Sequence, residues 1–123
     1  MSIKQIIDES MTILGLNYAF LEWTDTPKYP YFVGEYTETE PLNEDGMQET
    51  TFILTGFSRG DIGALDIAKE KIEKYFNKVS GKIVISEEAV VAIFYGSAFY
   101  IRQEDADLKV IQINLQVKEW KVI

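Results

Sequence analysis

The acidic residues are the side chains of this sequence that could act on a cation or a proton. Three carboxylates, Glu104, Asp105 and Asp107, fall within four positions, and oxygen ligands so close together can hold a hard cation. The segment lacks the twelve-residue pattern of a calcium loop, and a hairpin turn explains two aspartates equally well. We therefore predict no metal site and no cofactor.

The sequence shows no pair of a nucleophilic side chain and a general base. It contains no Cys and no His, which removes the thiolate, the commonest general base and the commonest metal ligand. Ser58 and Ser97 have no base placed beside them by any motif. Gly60 and Gly63 do not form a phosphate loop, because no Lys-Ser/Thr pair follows at the required spacing. The sequence predicts a protein that is not an enzyme.

A long β-hairpin at residues 29–57 is the feature that organises the chain. Its arms, residues 31–37 and 51–57, are rich in aromatic and β-branched residues, which suits half-buried strands. Between residues 29 and 58 there is no Lys or Arg, but there are six acids. These are Glu35, Glu38, Glu40, Glu44, Asp45 and Glu49. We expect a long acidic arm that projects from a small sheet.

Two amphipathic helices flank this hairpin in the sequence. Residues 3–14 carry apolar side chains at helical spacing, with Ser2 and Gln5 forming a capping box and Gly15 ending the helix. Residues 61–77 form the second helix, and Asp61 suits its N-terminus. We expect its buried face to consist of Ile62, Leu65, Ala68, Ile72, Tyr75 and Phe76.

The C-terminal part of the sequence predicts short strands and a second hairpin. Residues 82–86 and 90–95 are apolar runs of strand length, and Gly96-Ser97 marks a bend or bulge. In the closing hairpin, a three-residue loop at residues 105–107 would place Ile101 opposite Ile111 and Phe99 opposite Ile113, and a slip of one residue would exchange the faces. With a short strand at residues 18–23, the element order indicates an α+β domain: a mostly antiparallel sheet with both helices packed on one face.

Composition narrows the class of protein. The length of 123 residues predicts one domain, residues 1–123. With 46% hydrophobic residues, the chain can bury a core of its own. The net charge of −8 argues against a protein that binds nucleic acid through its phosphate groups. No stretch approaches the ~20 apolar residues of a membrane span, and the N-terminus lacks the apolar core of a signal peptide. We expect a protein made in the cytosol and kept or assembled there.

The aromatic residues exceed what so small a core can hold. The chain has seven Tyr, seven Phe and two Trp. Some of them can cover sheet edges, or they can form subunit interfaces, where Tyr and Trp are enriched. Tyr29, Tyr31 and Tyr36 are the interface candidates, and the sequence leaves both interpretations open.

Taken along the chain, these segments resemble a phage family. Pro30-Tyr31-Phe32-Val33-Gly34-Glu35, the long acidic arm, the return at residues 50–56, the helix at 61–76 and the closing hairpin at 99–113 are similar to those of the small tail terminator, or tail completion, proteins of long-tailed bacteriophages and prophages. The resemblance lies in element order, length and character, and covers nearly the whole chain.

The resemblance implies an α+β subunit that forms a hexameric ring. Such a ring caps the completed tail tube, forms the head-joining surface and lets DNA pass through its hole without specific binding. Its partners would be further copies of itself, the tail-tube protein and a head-completion protein, and it would be located in the virion tail or neck after assembly in the host cytoplasm. An acidic lumen would repel the moving phosphate backbone, and Glu38, Glu40, Glu44, Asp45 and Glu49 are the candidates to line it or to contact the tube.

Two other functions stay open at this point. One is another neck or head–tail connector component, in which the same kind of subunit sits at a different level of the particle. The other is a cytosolic α+β ligand-binding or regulatory domain, which would need a concave apolar pocket with a few convergent polar groups.

Overall fold

The fold is described by a computed structural model that covers residues 2–24, 26–38 and 46–121. Alternating side chains in the strands and a 3–4 residue apolar spacing in the helices produce eight elements. They are α1 (Ile3–Ile13), β1 (Asn17–Phe20), β2 (Tyr31–Glu38), β3 (Met47–Arg59), α2 (Ile62–Tyr75), β4 (Lys82–Ile85), β5 (Ala89–Ile101) and β6 (Leu108–Lys121).

The described strands form one sheet in the order β1-β2-β3-β6-β5-β4. Every neighbouring pair is antiparallel except β1 and β2, which run parallel. The predicted α+β class with a mostly antiparallel sheet is therefore confirmed. The predicted long hairpin is β2 and β3, with Tyr31 opposite Phe57.

The described part of this hairpin lies within the sheet. β3 is 13 residues long and pairs with β6 along its whole length, from Met47 opposite Trp120 to Arg59 opposite Leu108. β2 ends at Glu38, opposite Thr50. The tip of the predicted projecting arm, residues 39–45, lies outside the described residues.

Helix α1 begins and ends where its capping residues place it. The Ser2 hydroxyl accepts a hydrogen bond from the Gln5 backbone N–H, and the Gln5 side chain accepts one from the Ser2 N–H, so the predicted capping box is present. Gly15 follows with a φ of 71°, the left-handed conformation in which glycine is least strained.

Helix α2 is shorter than the predicted helix 61–77 at both ends, since it runs from Ile62 to Tyr75 and the buried Phe76 is its C-cap. Asp61 is the N-cap, and its side chain accepts a hydrogen bond from the Gly63 N–H at 2.8 Å. Leu65, Ala68 and Ile72 are buried as expected. Ile62, predicted to be on the buried face, is 44% exposed, because it lines an open groove beside the β5–β6 turn.

The register predicted for the closing hairpin is wrong, and a β-bulge is the reason. Ile101 lies opposite Val110, and Phe99 lies opposite Gln112. Tyr95 pairs with Leu115 but Ser97 pairs with Asn114, so Gly96 is an extra residue in β5. One inserted residue exchanges the two faces of everything that follows it. As a result Tyr100, and not Phe99 or Ile101, shares a face with Ile111.

One hydrophobic cluster joins both helices to the same face of the sheet. It contains the buried residues of α1 and α2 together with alternate residues of β2, β3, β5 and β6. Its largest fully buried side chains are Phe32, Phe52, Phe76, Ile7, Met11, Leu54, Leu65, Ile72, Ile93, Ile111, Ile113 and Leu115. We call this side of the sheet the helix face and the other side the open face.

A tyrosine hydroxyl at the edge of this cluster is buried without a hydrogen-bond partner in the described part of the chain. It belongs to Tyr18 of β1, whose ring lies over Gly34 of β2. Burial, with a smaller contribution from Asp8, raises the pKa of this hydroxyl above its ordinary value, which keeps it protonated. A buried polar group without a partner costs stability.

Replacing Tyr18 with phenylalanine is therefore expected to leave the free energy of unfolding unchanged or to raise it by about 1 kcal/mol. Urea unfolding followed by circular dichroism measures the change. Tyr36→Phe, on the neighbouring strand and the same face, is the matched control. A loss of more than about 1 kcal/mol in Tyr18→Phe alone would show that the hydroxyl makes a hydrogen bond after all.

Candidate functional site

The open face is available for contact with a partner, because both described helices pack on the opposite side of the sheet. Its centre is polar, with Thr51 opposite Gln116 and Thr55 opposite Gln112 on β3 and β6. The Asn114 amide donates a hydrogen bond to the Ser97 hydroxyl at 3.2 Å. A sheet face with polar side chains at its centre is suited to contact with solvent, so apolar contacts with another molecule are expected toward its margins.

An aromatic cluster lies at the β1–β2 margin of the open face. The Tyr31 ring centroid is 5.0 Å from that of Phe57 on β3, 5.0 Å from that of Trp23 and 5.5 Å from that of Tyr29. Burial among these rings is the main cause that raises the pKa of Tyr31. Tyr29 is 39% exposed, so a partner could still contact the cluster.

The three tyrosines proposed for an interface therefore fall into two groups. Tyr29 and Tyr31 belong to the aromatic cluster. Tyr36 lies on the helix face, where its ring stacks on Phe52 at 5.9 Å and contacts Phe20 at 5.9 Å. Tyr36 is thus the one of the three that contributes to the hydrophobic core.

The carboxylates considered for a cation contact an arginine instead. The Arg59 guanidinium at the end of β3 donates hydrogen bonds to Asp105 at 3.0 Å and to Asp107 at 3.5 Å, and it lies 5.8 Å from the Tyr29 ring centroid. The Asp107 N–H also donates to Asp105 at 3.0 Å. The two aspartates thus fix the β5–β6 turn against β3, and the described residues contain no group of three side chains suited to a metal.

The sequence alone did not reveal this link, because Arg59 and Asp105 are 46 positions apart. The hydrogen bond from Arg59 is the largest cause that lowers the pKa of Asp105. All these groups are largely exposed, so salt screens their attraction.

The lowered pKa of Asp105 predicts how its contribution to stability depends on pH. A carboxylate with a lowered pKa stabilises the fold above the ordinary Asp pKa of about 3.9, and the contribution disappears as the pH falls through the lower folded value. We expect Asp105→Asn to be less stable than the native chain at neutral pH and equal to it in strong acid. Urea unfolding at a series of pH values tests this, with Glu104→Gln as the control for loss of one negative charge. A difference that grows in acid would contradict the assignment.

The predicted acidic residues are only partly within the described chain. Glu35 and Glu49 are exposed on β2 and β3. Glu38 is the last residue of β2. Glu40, Glu44 and Asp45 lie outside the described residues.

The two candidate nucleophiles have structural hydrogen bonds. The buried Ser58 hydroxyl donates to the Asp61 carbonyl at 3.0 Å, where β3 gives way to α2. The Ser97 hydroxyl accepts from Asn114 at the bulge. An open groove of about 410 Å³ beside the β5–β6 turn is lined by Ile62, Tyr100 and Leu108 with charged residues around it. Neither serine lines this groove.

The chain was compared with known proteins at the level of sequence and of fold. No protein-family model and no curated protein matches the sequence. Among solved structures, the fold is similar to a chain of the virion of a native gene transfer agent particle, with 13% identity and a TM-score of 0.67. The match covers 92% of this chain and 84% of that chain. The fold defined by these strands and helices therefore recurs in a chain of that gene transfer agent virion.

None of the described helices has the length and apolar character needed to cross a membrane.

Proposed function

We propose that this chain is a structural, non-catalytic subunit of a phage or prophage particle: a tail terminator that caps the completed tail tube as a ring and forms the surface to which the head joins. The observation that carries the proposal is the likeness of almost the whole fold, over 92% of this chain, to a chain of a gene transfer agent virion. The proposed partners are other copies of this chain, in a hexameric ring, together with the tail-tube protein and a head-completion protein. The proposed location is the tail or neck of the particle, after assembly in the host cytoplasm.

The charge of the chain supports a ring through which DNA passes. With a net charge of −8 and six acids but no Lys or Arg between residues 29 and 58, the β2–β3 arm would repel phosphate groups instead of binding them. We propose that this arm lines the lumen or contacts the tube. Glu38, Glu40, Glu44, Asp45 and Glu49 would carry that charge.

The aromatic cluster supports contact with another protein. Trp23, Tyr29 and Tyr31 are the kinds of side chain that dominate binding energy at interfaces, and Arg59 lies over the Tyr29 ring. We propose that Tyr29 and Tyr31 contribute to a subunit or tube contact. Tyr36, stacked on Phe52 in the core, would act by supporting β2.

Another neck or head–tail connector component is the second candidate. The likeness is to a chain described only as part of a whole virion, so the same fold suits a ring at the tail end or one nearer the head.

A ligand-binding domain is the remaining alternative. It would use the groove beside the β5–β6 turn, and the charged residues Arg102, Glu104 and Lys109 that line this groove would select the charge of the ligand.

Imaging of tail tubes tests the proposal. Purified protein is mixed with preformed tail tubes from the same source and examined by negative-stain electron microscopy, with the protein alone as a reference. The terminator role predicts tubes that carry a ring at one end. Uncapped tubes at saturating protein would overturn it, and binding to isolated head or connector particles instead would favour the second candidate.

A matched pair of variants then tests the acidic arm. The first variant carries E40Q, E44Q and D45N. The second removes the same amount of charge from the helices, with D8N, E9Q and E70Q. If the arm lines the lumen or contacts the tube, only the first variant should change the capping of tail tubes or the passage of DNA. Equal behaviour of the two variants would remove the arm from the proposal.

A further inference from the structure

β4 is an edge strand whose outer side has no strand partner in the described part of the chain. It is the last strand of the sheet, and its residues Lys82–Ile85 pair with β5 alone. The Ser86 N–H donates a hydrogen bond to the Ala89 carbonyl at 2.9 Å. Because antiparallel pairs alternate between hydrogen-bonded and non-hydrogen-bonded, the N–H and C=O groups of Ile83 and Ile85 point away from β5. An edge with free backbone groups is a template for another strand.

The same two isoleucines give this edge an apolar surface. Ile83 is 55% exposed and Ile85 is 77% exposed. Both lie on the open face, since Val84 between them packs against the hydrophobic cluster on the helix face. Apolar side chains on a strand edge lose contact with water when a second strand is added, which favours the addition. The edge therefore offers backbone hydrogen bonds and apolar contacts together.

The charges of this edge are divided between the two ends of β4. Residues 77–90 contain four charged side chains. Lys78 and Lys82 form the lysine end, at the start of the strand, and Glu87 and Glu88 form the glutamate end, directly after it. Both glutamates are exposed. The edge as a whole is neutral, but one end is positive and the other is negative.

Charged residues of the neighbouring elements leave this division in place. Glu119 and Lys121 of β6 line a groove together with part of the glutamate end, and their charges cancel. Glu9 of α1 lines a groove with part of the lysine end, and Lys74 in the last turn of α2 offsets its charge. Each end thus keeps the sign of its own two residues.

This division of charge selects the direction of an added copy of β4. A parallel copy would set like charges side by side, whereas an antiparallel copy sets each lysine end beside the glutamate end of the other strand. In the antiparallel register centred on Val84, Ile83 of each copy lies opposite Ile85 of the other. Lys82 then lies opposite Ser86, next to the glutamate end. The same register sets open-face residues opposite each other and joins the outward-pointing backbone groups of both isoleucines.

We propose that two free copies of this chain pair through β4 about a twofold axis, so that their sheets become one continuous sheet with both open faces on the same side. The second copy is the occupant because this edge is complementary to itself in backbone groups, in apolar side chains and in charge. Each strand is short, so the association is expected to be weak, concentration-dependent and reduced by salt.

This contact differs in symmetry from the contacts of the proposed ring. An isologous contact closes with two copies, whereas a cyclic ring is built from head-to-tail contacts. The inference therefore goes beyond the tail-terminator role and does not depend on it.

Exchanging the charges of the two ends tests the proposal. One full-length variant carries K78E and K82E, and the other carries E87K and E88K. In either variant alone the ends that meet have like charges, so the Kd of the dimer, measured by sedimentation, is expected to rise roughly tenfold or more. In an equimolar mixture the glutamates of one variant meet the lysines of the other, and dimers are expected to return to the native level.

A control variant with D66K and E70K adds the same charge as E87K with E88K, but at exposed positions of α2. It should dimerise as the native chain does. A native chain that stays monomeric at high concentration would overturn the proposal. So would a mixture of the two charge variants that associates no better than either variant alone.

Disulfide trapping tests the register. The chain has no Cys, and a disulfide requires Cα atoms within about 7 Å of each other. In the proposed register I83C of one copy meets I85C of the other, so a mildly oxidised mixture of the two variants should give several-fold more covalent dimer than either variant alone. A106C, on the β5–β6 turn, measures the yield from chance collisions. A mixture that gives no more dimer than the single variants would contradict the twofold pairing centred on Val84.

Discussion

Replacing Phe52 with alanine is expected to lower the free energy of unfolding by about 3–5 kcal/mol. Phe52 is fully buried on β3, which has a partner strand on each side. Its ring centroid is 5.9 Å from that of Tyr36 and 6.3 Å from that of Phe20. The substitution removes the central ring of this group and leaves a cavity that rigid neighbouring strands cannot fill.

Equilibrium unfolding in urea, followed by circular dichroism, measures this loss. A domain of this size has about 5–15 kcal/mol of stability in total, so Phe52→Ala should move the unfolding midpoint far toward zero urea. Ile53→Ala is the control, because Ile53 is the next residue on the same strand but lies half-buried on the open face; its expected loss is about 1 kcal/mol. Equal losses for the two variants would contradict the placement of the core on the helix face.

Replacing Gly56 with alanine is expected to destabilise the protein by about 1–3 kcal/mol. A glycine-to-alanine change that the fold tolerates would instead stabilise it by roughly 0.4–1 kcal/mol, because alanine restricts the unfolded chain. Here the added Cβ would lie 2.5 Å from Cε1 and 2.9 Å from Cδ1 of Phe32. Phe32 is fully buried and directly opposite Gly56, so its ring has no free space into which to move.

The sign of this effect should depend on Phe32. In a Phe32→Leu background the ring is gone, and Gly56→Ala is expected to be neutral or stabilising; the difference between the two backgrounds is the coupling energy of the pair. Urea unfolding of the four proteins gives that energy. The same destabilisation in both backgrounds would mean that backbone strain, and not the Phe32 ring, opposes the substitution.

Local signals in the sequence predicted most of the elements. Helix α1 follows from its apolar spacing and the capping box of Ser2 and Gln5, which act within four residues. The β2–β3 pairing follows from two alternating arms joined by turn residues, as Tyr31 opposite Phe57 shows. These predictions succeeded because the interactions that specify them are close along the chain.

The candidate surfaces were less predictable, because they depend on which strands become neighbours. The aromatic cluster joins Trp23 and Tyr29 to Phe57 through Tyr31, and no local pattern shows that pairing. The same is true of Arg59 and Asp105.

The sequence by itself thus determined the element types, the capping box of α1 and the acidity of the β2–β3 arm, since each depends on neighbouring residues or on composition. Only the tertiary structure decided the insertion of β6 between β3 and β5, the parallel pairing of β1 with β2, and the faces of β5 beyond Gly96. The physical reason is that strand order and register are set by packing of the whole core. A single bulged residue reverses the faces of all the residues that follow it.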